Sequence, residues 1–221
     1  MGGGSGGIAS ARRAAEFGIN VGLIESSRLG GTCVNVGCVP KKVMYYAANL
    51  REEMIHDAAD YGMEIQHEVG MDWSKLVQKR DAYVERLNGI YQRNLDNSKV
   101  EVIRGVGKFV GEKKVGRVKF LKSYARIRVC IQVIVDGTIY SADHILVAVG
   151  GKPSFPAIPG AEHGISSDGF FELKERPSKV LVVGAGYIAV EMAQIFAGLG
   201  SQTTLAIRGQ TVLRSFDNLV V

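Results

Sequence analysis

The hydrophobic pattern changes period several times along the 221 residues. Ile8 to Phe17 is rich in Ala and Arg and ends at Gly18, which predicts a helix stopped by a residue tolerant of left-handed backbone. Val21-Gly22-Leu23-Ile24-Glu25 reads as a short strand ending in an acid. Val43 to Met54 has helical character. Trp73 to Asn94 places Leu76, Val77, Tyr83, Val84, Leu87, Ile90 and Tyr91 at the spacing of a long amphipathic helix. Short strands are expected at Val100 to Arg104, Gly107 to Val110 and Ile127 to Val135. The apolar run His144 to Val149 ends in Gly150-Gly151 and Pro153, a strand-end turn that closes a first domain. Pro153, Pro156, Pro159 and Gly160 mark a crossover linker. A buried strand at Lys179 to Val183, a helix to Leu199 and a strand at Thr203 to Ile207 then form a βαβ unit. The expected class is α/β, with two Rossmann-like domains at 1–151 and 152–221, the second of them partial.

Composition narrows this little. A 46% hydrophobic content supports a packed core. No apolar run reaches the roughly 18 residues of a membrane span, and the N-terminus lacks the basic flank and apolar centre of a signal peptide. Three cysteines are an odd number and fit a reducing compartment, the cytosol by default, with a mitochondrial form left open. The net charge of +5 comes from scattered Lys and Arg, which describes a solvated surface rather than a nucleic-acid footprint, although it suits an anionic substrate. No residues are assigned to a metal.

Three stretches carry candidate chemistry. Met1 to Gly7 contains Gly2-x-Gly4-x-x-Gly7, which alone reads more readily as a flexible linker. The helix, the strand and Glu25, 18 residues beyond Gly7, argue for a dinucleotide site. There the glycines let backbone N–H groups approach a pyrophosphate and Glu25 holds a ribose. The fingerprint lacks a preceding strand, so the sequence is expected to be truncated at its start. The second stretch, Gly184-x-Gly186-x-x-Ala189, directly follows the strand ending at Val183. Where an NAD site would place an acid, its second strand ends in Arg208, with Arg214 beyond. Two arginines suit a 2′-phosphate, so NADPH is expected over NADH.

The third stretch is Leu29-Gly30-Gly31-Thr32-Cys33-Val34-Asn35-Val36-Gly37-Cys38-Val39-Pro40-Lys41-Lys42. Pro40 belongs in a first helical turn, so a helix should start near Gly37 to Pro40 with Cys38 at its positive end, where a thiolate is favoured. Residues five apart in a regular helix rise about 7.5 Å and face different ways, so a Cys33–Cys38 disulfide needs an irregular turn, which Gly37 could supply. On spacing alone, two ordinary buried cysteines are an equal alternative.

The cysteine segment resembles, almost letter for letter, the redox-active motif of flavin-dependent disulfide reductases. The resemblance implies that Cys33 is the interchange thiol that attacks the disulfide substrate and that Cys38 faces the flavin. It places Lys41 near the flavin, with Glu191 as its partner, and Thr32 on FAD. Arg-Asp-Ala-Tyr-Val-Glu-Arg-Leu-Asn-Gly-Ile-Tyr-Gln at 80–92 is similar to a helix of the glutathione-reducing members, making Tyr91 a substrate contact, whereas core packing alone would also explain it. Arg12 would bind a glutathione carboxylate, and Ser5 would lie beside substrate and flavin. Tyr187 matches a tyrosine over the nicotinamide pocket, and the segment around Arg208 and Arg214 resembles the NADPH-binding segment of the same branch. The implied activity passes electrons from NADPH through FAD and the Cys33–Cys38 disulfide to glutathione disulfide, in a homodimer. Thioredoxin-reducing members share the cysteine motif and are the alternative within the family.

The resemblance covers about the first half of such an enzyme. Val149 stands where threonine is usual, 116–132 looks like an insertion, and Cys130 receives no role. His56, His67, His144 and His163 match no catalytic position. A partial chain that does not turn over is the second expectation, beside a working flavoenzyme.

Overall fold

A computed structural model of the chain describes residues 1–67, 69–115 and 128–219. In chain order its elements are α1 (Ser5–Glu16), β1 (Gly22–Glu25), α2 (Gly31–Val36), α3 (Cys38–Glu52), α4 (Trp73–Asn97), β2 (Glu101–Arg104), β3 (Lys108–Val115), β4 (Arg128–Val135), β5 (Thr138–Ala142), α5 (Ser167–Phe170), β6 (Lys179–Val183), α6 (Tyr187–Gly198) and β7 (Gln202–Ala206). A π-turn over Glu53–Asp57 and a 3-10 turn over Ala58–Tyr61 follow α3. The chain forms two compact units, residues 1–35 with 86–151 and residues 36–85 with 152–221. The expected division at residue 151 follows the sequence order, whereas compactness groups 36–85 with the later segment.

In the first unit, α1 runs to Glu16 and Gly18 follows at φ +75°, the left-handed position that stops the helix. Its buried Ile8 and Ala11 pack with Leu23, Leu29, Leu95 and Val100. β1 and β2 pair in parallel, from Gly22 opposite Glu101 to Glu25 opposite Arg104. β3, β4 and β5 form a separate antiparallel sheet in that order. Asp136 and Gly137 both have positive φ, 46° and 85°, which is what a two-residue hairpin turn between β4 and β5 demands. The expected insertion falls partly on 116–127, outside the described residues. Positions 128–132 continue regular β4 pairing with β3.

Two expectations about strands are corrected. The apolar run at 144–149 is not a strand. Its backbone bonds go to Met1, whose amino group donates to Leu146 O and whose carbonyl accepts from Ala148 N–H, both at 2.8 Å. One residue does not make a ladder, and Leu146, Val147 and Val149 stay exposed. The strand expected to be buried at β6 is only half covered: Leu181 and Val183 are 64% and 65% exposed. Two strands with one helix leave a sheet face uncovered among the described residues.

The second unit has the larger core. Met44 and Ala48 of α3, Trp73 and Val77 of α4, Phe170, Phe171 and the inner face of α6 form one cluster. Trp73 stacks on Phe196 at 6.2 Å between centroids, and Phe170 meets Phe196 edge-on at 4.8 Å. The Trp73 indole N–H donates to Leu173 O at 3.2 Å, which satisfies its polar end. A Cβ built on Gly198 would lie 3.0 Å from Ala48 Cβ, so α3 and α6 approach closely there. β6 and β7 pair in parallel, from Lys179 opposite Gln202 to Val183 opposite Ala206.

α4 starts at an N-cap absent from the expected elements. Asp72 Oδ1 accepts from Lys75 N–H at 3.0 Å and Ser74 Oγ at 2.7 Å. The Lys75 backbone bond, followed by the Ser74 hydroxyl, holds the Asp72 carboxyl below its ordinary 3.8. A folded-state value below the unfolded one means the cap's contribution is present above 3.8 and is lost as pH falls through the folded value. Unfolding midpoints of the protein and of Asp72→Ala should differ at neutral pH and converge in acid, and a gap unchanged by pH would refute the assignment.

Candidate functional site

The Gly2–Gly7 loop is built into the first unit by backbone bonds. Gly2 N–H donates to Ile24 O at 2.8 Å and Gly3 N–H to Glu25 Oε2 at 2.6 Å. Ser27 N–H donates to Glu25 Oε1 at 2.7 Å. Glu25, 9% exposed, therefore has one backbone donor on each oxygen and retains acceptor capacity on both.

The three fingerprint glycines differ in why they are glycines. A Cβ on Gly7 would overlap the Gly2 carbonyl oxygen, and one on Gly2, at φ +101°, would overlap the Ala148 carbonyl. A Cβ on Gly4 would meet nothing closer than Gly31 Cα at 3.5 Å, ordinary contact. Gly2 and Gly7 are thus required by the protein's own packing, whereas the missing side chain of Gly4 leaves space beside a helix start. No side chain caps α1, whose first-turn N–H groups provide the donor set that anions take. These residues fit a dinucleotide pyrophosphate.

Ser5 is exposed at the start of α1, and Arg12 follows seven residues later, two turns on and about 10 Å along the same face. Arg12 Nε donates to Ser98 Oγ at 3.2 Å, and Ser98 Oγ in turn donates to Asn94 O at 2.9 Å. Tyr91 is half-buried against the Ile8–Leu95 core, so it packs whether or not it also binds.

The cysteine segment holds a helix that the sequence reading did not expect, α2, which ends at Val36 just before Gly37. Gly37 leaves the helical region (φ −149°, ψ −124°), and α3 begins at Cys38 with Pro40 third, so the interruption expected at Gly37 is present. Cys33 is half-buried on α2, Thr32 and Cys38 are exposed, and Cys38 is the first helical residue of α3. Within the second unit, Lys41 Nζ donates to Glu191 Oε1 at 2.6 Å, bridging α3 and α6. The two residues that the resemblance pairs do meet, in a partly buried ion pair.

Around the second fingerprint, β6 runs into Gly184 at φ +145°, whose N–H donates to Ala206 O at 3.0 Å. A Cβ there would press on Ala189 Cβ at 3.3 Å, whereas one on Gly186 would meet nothing within 4 Å. Gly186 caps α6 with no side-chain bond, and Tyr187 is exposed beside it. Leu213 N–H reaches back to Ala185 O at 2.7 Å, which carries the exposed Arg208–Arg214 segment to this loop. The open glycine, the uncapped helix start and two cations fit a phosphorylated dinucleotide.

The sequence reading missed Arg80, Asn35 and Asn88. Trp73, Val77, Arg80, Val84, Asn88, Tyr91 and Leu95 follow the three-and-four spacing of one helix stripe. Polar residues on an apolar stripe were the available signal. Among the described residues, no cluster of His, Cys, Asp or Glu could hold a metal, and no helix is long and apolar enough to cross a membrane.

A family model described as pyridine nucleotide-disulphide oxidoreductase matches residues 1–220. The chain is similar throughout to glutathione reductase of Yarrowia lipolytica, 51% identical over 225 residues, and to that of Schizosaccharomyces pombe, 49% identical over 222; it covers 46% and 45% of them. Glutathione reductase of Debaryomyces hansenii is 47% identical over 235 residues, with 47% of its length covered. The chain therefore spans about half the length of the curated relatives it matches. With two dinucleotide fingerprints and a two-cysteine segment in its sequence, the chain belongs to the pyridine nucleotide-disulphide oxidoreductase family.

Proposed function

We propose that this chain carries the flavin and redox-cysteine machinery of a glutathione-disulfide reductase, with 1–151 taking FAD and 152–221 part of an NADPH-binding domain. The observation that carries the reading lies in the first unit. Gly30 N–H donates to Gly3 O at 2.8 Å, so the turn that starts the Cys33 helix is bonded directly to the dinucleotide loop. Gly2 and Gly7 shape the loop, Gly4 leaves room on it for the FAD pyrophosphate, Glu25 holds its ribose, and Ser5 and Thr32 lie beside it. Gly184, Gly186, Ala189 and Tyr187 take NADPH, with Arg208 and Arg214 on its 2′-phosphate.

FAD held by the first loop would supply two-electron chemistry, by which the hydride equivalent of NADPH would open the Cys33–Cys38 disulfide to a Cys33 thiolate and a Cys38 thiol. The Cys33 thiolate attacks one sulfur of glutathione disulfide, forming a mixed disulfide and releasing one glutathione thiolate, which takes up a proton. Cys38 then attacks Cys33 Sγ, releases the second glutathione and restores the internal disulfide. Arg12 presents a planar donor fork to a glutathione carboxylate and Tyr91 packs on the peptide. The Lys41–Glu191 pair tunes the charge beside the flavin.

The test is the visible spectrum of protein incubated with FAD and freed of excess, before and after NADPH. A retained flavin band that gains long-wavelength absorption on reduction is expected. A colourless protein would overturn the reading in favour of a partial chain without a flavin site. Retained flavin whose electrons reach thioredoxin but not glutathione disulfide would move the substrate to the thioredoxin-reducing branch.

A further inference from the structure

Asn35 and Asn88 form a closed amide pair in the first unit. Asn88 Nδ2 donates to Asn35 Oδ1 at 3.0 Å and to Leu29 O at 2.8 Å. Asn35 Nδ2 donates to Leu29 O at 3.1 Å and to Gly31 O at 2.8 Å. All four amide hydrogens are used, which sets both side-chain orientations. Asn35 is 9% exposed, so a donor lost here is not replaced freely by water.

The carbonyls that the pair holds flank a turn with two left-handed residues, Gly30 at φ +98° and Gly31 at φ +60°. The dinucleotide loop is seated on that turn: Gly3 O accepts Gly30 N–H, and a Cβ on Gly31 would come within 2.7 Å of Gly4 Cα. Cys33 follows two residues later on α2. Asn88 lies three residues before Tyr91, on the same stripe of α4.

We propose that Asn88, acting through Asn35, is a positioning residue that fixes the Cys33-bearing helix against α4, and so sets the approach of the Cys33 thiol to a disulfide substrate held near Tyr91. The substrate role rests on the function proposed above, but the positioning of Cys33 does not. A short six-residue helix following two left-handed glycines has little stiffness of its own, and the amide pair supplies side-chain bonds that tie it to a long helix.

The test reduces the protein with dithiothreitol, removes the reductant and follows iodoacetamide alkylation of Cys33 and Cys38 in the same molecules by peptide mass spectrometry. In Asn88→Ala, Cys33 should alkylate about tenfold faster while Cys38 stays within about twofold, because only the first helix is released. In the same variant, transfer of glutathione from glutathione disulfide to Cys33 should slow, since that reaction needs an oriented thiol. Equal acceleration at both cysteines would mean general loosening and would overturn the proposal, as would no change at either.

Asn88→Asp is the second variant, nearly isosteric, and guards against misfolding of the first. At neutral pH its carboxylate faces two carbonyl oxygens, so the ratio of Cys33 to Cys38 alkylation should rise. As pH falls and the new carboxyl protonates it donates again, and the ratio should return toward that of the parent protein. A ratio insensitive to pH refutes the positioning role. None of these readouts requires flavin, so a protein that fails to take FAD still decides the question about Cys33.

Discussion

Gly7→Ala is expected to unfold the first unit, whereas Gly4→Ala leaves it folded and removes flavin binding alone. The two substitutions add the same methyl group three residues apart on one loop. At Gly7 the new Cβ would occupy the space of the Gly2 carbonyl oxygen, and Gly2 cannot withdraw. Its N–H is bonded to Ile24 O, and its own Cβ position is closed off by the Ala148 carbonyl. The strain falls on backbone at the junction of α1 and β1, with no flexible side chain to absorb it. Overpacking against rigid backbone costs about 3 kcal/mol or more, a large fraction of a domain's stability. At Gly4 the nearest atom sits at 3.5 Å, so the methyl group fits the protein but fills the space proposed for the pyrophosphate. Urea unfolding followed by circular dichroism, beside FAD retention, separates the cases. Equal stability loss in both variants would remove the distinction between packing and ligand glycines.

Arg80→Ala should cost the second unit about 3 kcal/mol, and Arg80→Met should recover at least half of it. Arg80 is 1% exposed. Its NH2 donates to Phe171 O at 2.8 Å and to Asp81 Oδ1 at 2.7 Å, its Nε to the same carboxylate oxygen at 2.9 Å, and its NH1 to Met44 Sδ at 3.3 Å. The guanidinium also lies 5.7 Å from the centroid of the Phe171 ring. Alanine leaves a void among Met44, Phe171 and α4 together with a carbonyl that has lost its donor. Methionine fills the void, and the orphaned carbonyl alone remains to be charged against it. Asp81 is half-exposed, so loss of the ion pair itself counts for little. Denaturant midpoints at constant slope measure both effects, and a shift below about 1 kcal/mol for the alanine variant would show the site collapsing without cost.

Helix α1, strand β1, helix α4, strand β2 and the β6–α6–β7 unit follow from local signals: period, a stop glycine, and turn residues between apolar runs. The β4–β5 hairpin is also carried by a local signal, Asp136-Gly137, a two-residue turn between alternating strands. The run at 144–149 shows the opposite failure. Its composition is that of a strand, but a strand exists only through its neighbours' hydrogen bonds, and among the described residues its backbone bonds go to Met1. In the same way α2 carries no periodic signal over six residues and is held by the Asn35–Asn88 amides, whose meeting joins positions 53 residues apart.

Residue type and spacing alone were therefore enough for the second fingerprint and the helix break at Gly37, because each depends on bonds made within a few residues, whereas the family was legible only in the resemblance of the cysteine segment. Spacing also located Glu25 as a candidate, and the resemblance located Lys41. The three-dimensional arrangement settled what those groups touch. It put backbone donors from Gly3 and Ser27 on the two Glu25 oxygens, brought Lys41 to Glu191 across 150 positions and separated Gly4 from Gly2 and Gly7. It also turned Arg80 from a polar interruption of an apolar stripe into a buried tie between α4 and Phe171. Such contacts depend on which surfaces meet when elements pack, and a one-dimensional pattern encodes the faces of each element but not their partners.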